Sequence, residues 1–300
     1  MPSYYQAEQE IIKSIKQENE FIHEGAKYRV DVVDKPRPEK GECKTDIYVS
    51  ATSVNAGIRR EFKISVKKDN ADFLENKVSA ERAEQIFGMD YESVIHNCVK
   101  EIDNSFVSTP AFYVEQSGKT QAGSFTLGWK FELLNKLSGK KSGKVKLTEE
   151  QKLNVYSGSG ADKAKKDCSV NNQVIKNSGV ANYILVVDKD FNYSTSNIFK
   201  AIKPIEKYSR NLEVFFSCKA LNYRIEADKW DGDRPLAVSV DWDIKNNTLI
   251  PYLNFNACLK IKGNEVGNKL RNQLKSLNIT SIDQLKENQS FISEKFHLKK

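Results

Sequence analysis

The chain has 300 residues, 39% hydrophobic and 29% charged, enough to bury one large core or two of ordinary size. No apolar run reaches the roughly 18–20 residues of a membrane-crossing helix, so no membrane partner is expected. Five scattered cysteines without a CxxC pair, beside only three histidines, argue against a disulfide framework or a structural zinc site. The net charge of +7, from 47 basic and 40 acidic residues, permits a polyanionic partner.

Met1 to Tyr5 passes quickly into a Glu/Lys-rich amphipathic pattern, so a secretory signal is not expected and a reducing cytoplasm is the expected location. Tyr4 to Ile22 reads as a helix with Ile11, Ile12, Ile15 and Ile22 on its apolar stripe and Gly25 as its stop. Lys27 to Val33 reads as a strand, and Pro36 to Gly41 as a loop set by two prolines.

A hairpin follows. Ile47, Val49 and Ala51 share one face of the first strand, with Asp46, Tyr48 and Ser50 on the other. Phe62, Ile64 and Val66 share a face of the second, leaving Glu61, Lys63, Ser65 and Lys67 opposite. Folding about Asn55 to Gly57 brings Asp46 opposite Ser65 to Lys67 on the non-core face.

Ser79 to Phe87 reads as a helix capped by Ser79, with Glu81 and Glu84 near its positive start. Tyr91 to Ile102 reads as a second helix. Phe106 to Glu115 reads as a strand in which Pro110 argues for an edge or a bulge. Gln116 to Asn177 is rich in Gly, Ser and Lys and reads as outward-reaching loops with a helix near Phe131 to Leu137. Its lysines, Lys140, Lys141 and Lys144 among them, suit phosphate contacts or simply a solvated surface.

The last third is apolar again. Tyr183 to Val187 and Leu212 to Cys218 read as strands. Leu236 to Ile244 and Leu249 to Leu259 form a hairpin about Asn246-Asn247, and helices near Glu265–Leu277 and Ile282–Glu287 close the chain. The expected fold is α/β (α+β with a mixed sheet). Its expected parts are a core over 1–118, a basic loop-rich insertion over 119–178, and a β-rich region over 179–300 that is either separate or continuous with the core.

Hydrolysis of a phosphodiester needs a divalent metal, carboxylates to hold it and often a lysine beside the attacking water. Asp46 supplies a carboxylate and Lys67 an amine. The position two before the lysine, where a second acid would help, is Ser65. Glu61-Phe62-Lys63 is a literal acid-x-Lys on the same face and ranks second. It lies about 13 Å along the strand from Ser65, too far to share one metal. Glu20, Glu24 and Glu42 are weaker candidate acids.

Asp46 and Lys67 also read as a cross-strand ion pair worth a few tenths of a kcal/mol, roughly. Gly139 to Lys144 lacks the spacing of a P-loop. His96 and Cys98 read as core residues, and Trp230 to Asp233 as a turn.

Thr45-Asp46, Ser65-Val66-Lys67 and the order of elements over the first 115 residues resemble the PD-(D/E)XK superfamily, the restriction-endonuclease-like fold. Ser-x-Lys is similar to the subgroup that cuts sites with a CCGG core and draws its missing glutamate from the following helix. Thirteen residues separate Lys67 from Glu81 here. The resemblance implies that Asp46 and Glu81 hold Mg²⁺, that Lys67 positions the water, and that Arg82 contacts DNA. It implies a type II endonuclease acting on double-stranded DNA as a homodimer or higher oligomer. The alternative is a catalytically silent nucleic-acid-binding protein that keeps the fold.

Overall fold

A computed structural model describes residues 4–69, 73–287, 291–293 and 295–298. Along residues 4–69 run α1 (Tyr4–Glu18), β1 (Glu20–His23), β2 (Ala26–Asp34), β3 (Ile47–Ser53) and β4 (Arg59–Lys68). Residues 73–146 carry β5 (Phe73–Glu75), α2 (Ala80–Phe87), α3 (Tyr91–Glu101), α4 (Asp103–Val107), β6 (Phe112–Tyr113), β7 (Ser124–Leu134) and β8 (Ser142–Val145).

Residues 147–212 carry α5 (Glu149–Ser157), α6 (Lys163–Lys166), β9 (Cys168–Val170), β10 (Gln173–Ile175), β11 (Tyr183–Val187), α7 (Thr195–Ala201), β12 (Lys203–Pro204) and α8 (Ile205–Arg210). The remainder holds β13 (Val214–Arg224), β14 (Lys229–Trp230), β15 (Pro235–Leu236), β16 (Val238–Lys245), β17 (Thr248–Asn254), β18 (Ile261–Lys262), α9 (Gly263–Ser276), α10 (Ile282–Glu287) and β19 (His297–Leu298). The protein is a mixed α/β chain, 30% helix and 35% strand. No described helix is long and apolar enough to cross a membrane.

The chain divides into two compact units, Met1–Asp72 with Leu147–Leu212, and Phe73–Lys146 with Glu213–Lys300. The breaks therefore fall elsewhere than the compositional shifts near 118 and 178. The Lys-rich middle is shared out between the two units.

The first unit is built on a six-stranded sheet in the order β1-β2-β3-β4-β11-β12. Strands β1 to β4 form an antiparallel meander, and β11 joins β4 in parallel. One face of this sheet buries Ile47, Val49, Phe62, Ile64, Val66 and Leu185 against Ile11 and Ile15 of α1 and Phe199 of α7. Phe62 packs edge-on against Phe21, Tyr28 and Phe199, arrangements that add to the area they bury.

The first helix ends sooner than its isoleucines suggest. Asn19, at φ 55°, closes α1 and donates its N–H to the Ile15 carbonyl at 3.0 Å. Phe21 and Ile22 belong to β1. Gly25, at φ 79°, follows Glu24 at φ 50° in the tight turn of the β1–β2 hairpin, where two positive φ values are required.

The second unit centres on β7, which pairs with β13, β16, β5 and β6. The helix expected near Phe131 to Leu137 is thus the end of a strand. Phe125, Leu127, Trp129, Phe131 and Leu133 do alternate, but the opposite face is buried too. Glu132 on that face is 2% exposed, held by Lys130 Nζ at 2.7 Å and Lys219 Nζ at 3.0 Å. A charged side chain there masks the period-2 pattern.

The strand expected over Phe106 to Glu115 is instead the end of α4 and the short β6. The β16–β17 hairpin turns at Asn246 and Asn247, both at positive φ, as their residue types predict. Val266, Leu270 and Leu274 of α9 are buried in this unit.

Candidate functional site

The β3–β4 register pairs Ile47 with Ile64, which sets Asp46 beside Ser65. Asp46 donates its backbone N–H to the Ile64 carbonyl at 2.9 Å. Its carboxylate Oδ2 accepts the Val66 N–H at 2.7 Å and the Ser65 hydroxyl at 3.4 Å. The carboxylate is therefore pinned to the strand that carries Lys67, as the sequence periodicity predicts. The preceding residues are pinned as well, since the Gly179 carbonyl accepts the N–H groups of Lys44 at 3.1 Å and Thr45 at 3.2 Å.

Asp46 lines a cleft of about 550 Å³ together with Glu8, Lys35, Arg37, Glu42 and Thr45. Burial pushes the Asp46 carboxyl up to about 6; the Lys67 ammonium and the Val66 N–H oppose that rise, and the charge of Glu8 adds to it. Glu8 is 6% exposed and ion-paired with Lys35. Burial pulls the Lys35 pKa down, but the bond to Glu8 and the charge of Asp46 lift it above the usual lysine value.

Neither Glu8 nor Lys35 was singled out from the sequence. One signal was there to read: Glu8 precedes Ile11 by three positions and Ile12 by four, which puts a carboxylate on the helix's buried stripe. The Thr45 hydroxyl, on a residue 1% exposed, has no hydrogen-bond partner among the described residues.

The acid expected from the following helix sits in the other unit. The chain enters the second unit at Phe73, before it reaches α2. There Ser79 caps α2 by accepting the Arg82 N–H, and Glu81 is exposed. Arg82 is buried, giving two bonds to Glu75 Oε1, at 2.6 and 3.2 Å, and one to Gln85. Its guanidinium is an internal anchor of that unit rather than an open phosphate contact.

Of the three lysines proposed to touch DNA, Lys140 is exposed. The Lys141 ammonium lies 5.9 Å from the Trp129 ring centre, and burial lowers its pKa. Lys144 is ion-paired with Glu213.

The second-ranked acids have other partners. Glu61 lies opposite Ser50, away from Asp46 along the strand, and accepts the Tyr48 hydroxyl at 2.5 Å. Lys63 donates to the Asn177 carbonyl at 3.1 Å. Glu20 pairs with Lys27 and Glu24 with Arg60. Cys98 is buried, as expected, with its thiol pushed up to about 12 by burial. The turn expected at Trp230 to Asp233 lies earlier, at residues 225–228: Trp230 ends β14, and Asp231 is held to β13 by the Asn222 N–H at 3.0 Å and the Arg224 guanidinium at 3.0 Å.

Among the described residues, no group of three or more His, Cys, Asp and Glu side chains is placed to hold a metal ion. Comparison with protein-family models, curated proteins and solved structures found no match to this chain.

Proposed function

We propose that the first unit is a Mg²⁺-dependent endonuclease core acting on double-stranded DNA, of the restriction-endonuclease-like kind. The observation that carries this reading is the clamped Asp46 carboxylate, with Lys67 on the adjoining strand, at the rim of a cleft. The order of helix, antiparallel meander and parallel closing strand accords with it.

The oxygen donors nearby, the carboxylates of Asp46 and Glu8 and the hydroxyls of Ser65 and Thr45, suit a hard cation such as Mg²⁺. Asp46 would hold it, with Glu8 as the second acid once Lys35 releases it. A bound cation supplies offsetting charge for the phosphate as negative charge builds during hydrolysis. Lys67 donates to and orients the attacking water. Exposed lysines such as Lys140 meet the DNA backbone, and a homodimer or higher oligomer supplies one site per strand.

The test is conversion of supercoiled plasmid with Mg²⁺ present. Wild type should nick or linearise it, Lys67→Ala and Asp46→Asn should lose at least about a hundredfold in rate, and Glu61→Ala should cut nearly normally. Equal cutting by wild type and Lys67→Ala would end the proposal. Glu8→Gln should lose as much as Asp46→Asn, and near-normal cutting by it would exclude Glu8 as the second acid.

A second reading is a silent nucleic-acid-binding protein. It is favoured by the serine at position 65 and by the absence of a three-ligand cluster among the described residues. DNA binding that weakens steeply with salt, without cutting, would select it.

A further inference from the structure

The segment 35–45, which leads into Asp46, has almost no regular structure, yet it is tightly docked along residues 164–179. Arg37 and Ser169 exchange backbone hydrogen bonds at 2.9 and 2.8 Å, and the Glu39 N–H reaches the Ala164 carbonyl at 3.2 Å. Gly179 joins both sides, accepting from Lys44 and Thr45 and donating to the Lys166 carbonyl at 2.8 Å.

Inside this seam lie Cys43 and Cys168, far apart in sequence, both free thiols and close enough to influence each other's charge. Cys43 also donates to the Thr45 carbonyl at 3.2 Å, and Cys168 to the Lys165 carbonyl at 3.2 Å. The Cys168 backbone is held by Ser178, whose hydroxyl accepts its N–H at 3.1 Å and donates to its carbonyl at 3.0 Å.

Gly179 lies against both cysteines. A Cβ there would stand 2.7 Å from Cys168 Sγ, 2.9 Å from Cys43 Cβ and 2.1 Å from the Lys165 carbonyl oxygen. Cys168 Sγ and Cys43 Cβ therefore both lie within 3 Å of one point, so side-chain rotation can bring the two sulfurs together.

From this geometry we infer that Cys43 and Cys168 are a disulfide-forming pair, a reversible modification site in the loop that carries Asp46. The inference holds whether or not the nuclease reading does. Cys43 is half-buried and lines the cleft, so an oxidant reaches it, while Cys168 is buried behind it. With hydrogen peroxide as oxidant, the Cys43 sulfur attacks one peroxide oxygen and the O–O bond breaks. It becomes a sulfenic acid and one water leaves. The Cys168 sulfur then displaces the hydroxyl group, the S–S bond forms and a second water leaves. Two thiols are oxidised and one peroxide is reduced. Burial raises both thiol pKa values, so the reaction is slow at neutral pH.

The experiment treats the full chain with hydrogen peroxide, blocks the remaining thiols, and maps peptides without reduction. The expected result is one cross-linked peptide joining positions 43 and 168, reversed by dithiothreitol. The other three cysteines, Cys98, Cys218 and Cys258, should stay as thiols. Cys43→Ser and Cys168→Ser should each abolish the cross-link. Persistent thiols at 43 and 168, a sulfinic acid at Cys43 with no bridge, or a bridge to any other cysteine would each overturn the assignment. Because the decisive reading is taken on the wild-type chain, a variant that folds poorly does not obscure it.

Discussion

Asp46 is held by the Val66 N–H and the Ser65 hydroxyl, yet it is an expensive carboxylate. Its pKa of about 6, against an ordinary aspartate value of 3.8, means that the fold favours the protonated form. The stability associated with that proton is complete below pH 3.8 and is lost as pH rises through about 6, so at neutral pH the charged group is a cost. Asp46→Asn keeps an acceptor for the Val66 N–H and should stabilise the protein at pH 8 by about 1–2 kcal/mol, after allowing for water in the cleft. That gain should vanish towards pH 4. Urea unfolding at the two pH values measures it, and a gain independent of pH would contradict the assignment. A cation competes with the same proton, so apparent Mn²⁺ affinity at this site should fall about tenfold per pH unit below about 6. Calorimetric titration at pH 5 and pH 7 follows that directly, and a pH-independent affinity would place the metal elsewhere.

At the scale of elements, strands are legible where one face is plainly polar and hidden where it is not. The β3–β4 hairpin was readable because Ile47, Val49 and Ala51 alternate with polar neighbours and the turn residues lie between. The helix α2 was readable from Ser79, whose side chain does cap it. Strand β7 was not, because a glutamate and a lysine sit on a face that the fold buries through their ion pairs. Gly128 shows how closely that strand is packed. It has φ 145°, and a Cβ would stand 2.4 Å from the Val238 carbonyl oxygen. Gly128→Ala must therefore push β16 off β7 and should cost about 1–3 kcal/mol. An unchanged urea midpoint would show that the crossing gives way more easily than its geometry suggests.

At the scale of the molecule, each unit has its own sheet and its own core, and along the chain residues 73–146 of the second unit interrupt the first between β4 and α5. Such units unfold as separate cooperative blocks unless a large interface couples them. Phe62→Ala removes the ring at the centre of the first unit's aromatic cluster and should cost that unit about 3–5 kcal/mol. Hydrogen exchange should accelerate in β3, β4 and β11 while the amides of β7 and β13 keep their protection. Equal loss of protection in both sheets would show a single cooperative block.

What the sequence determined by itself was local: the face of each strand, the turn that returns β4 along β3, the cap of α2, and hence the meeting of Asp46 with Ser65 to Lys67. Side-chain alternation and turn chemistry act over a few residues, so they can be read from neighbours alone. Tertiary structure decided the rest. It laid Tyr183–Val187 parallel to β4 across more than a hundred intervening residues, brought Glu8 and Lys35 to the cleft, and assigned Glu81 to the other unit. It also set Cys43 against Cys168. Those outcomes depend on which apolar faces bury one another at long range, and no spacing along the chain encodes that choice.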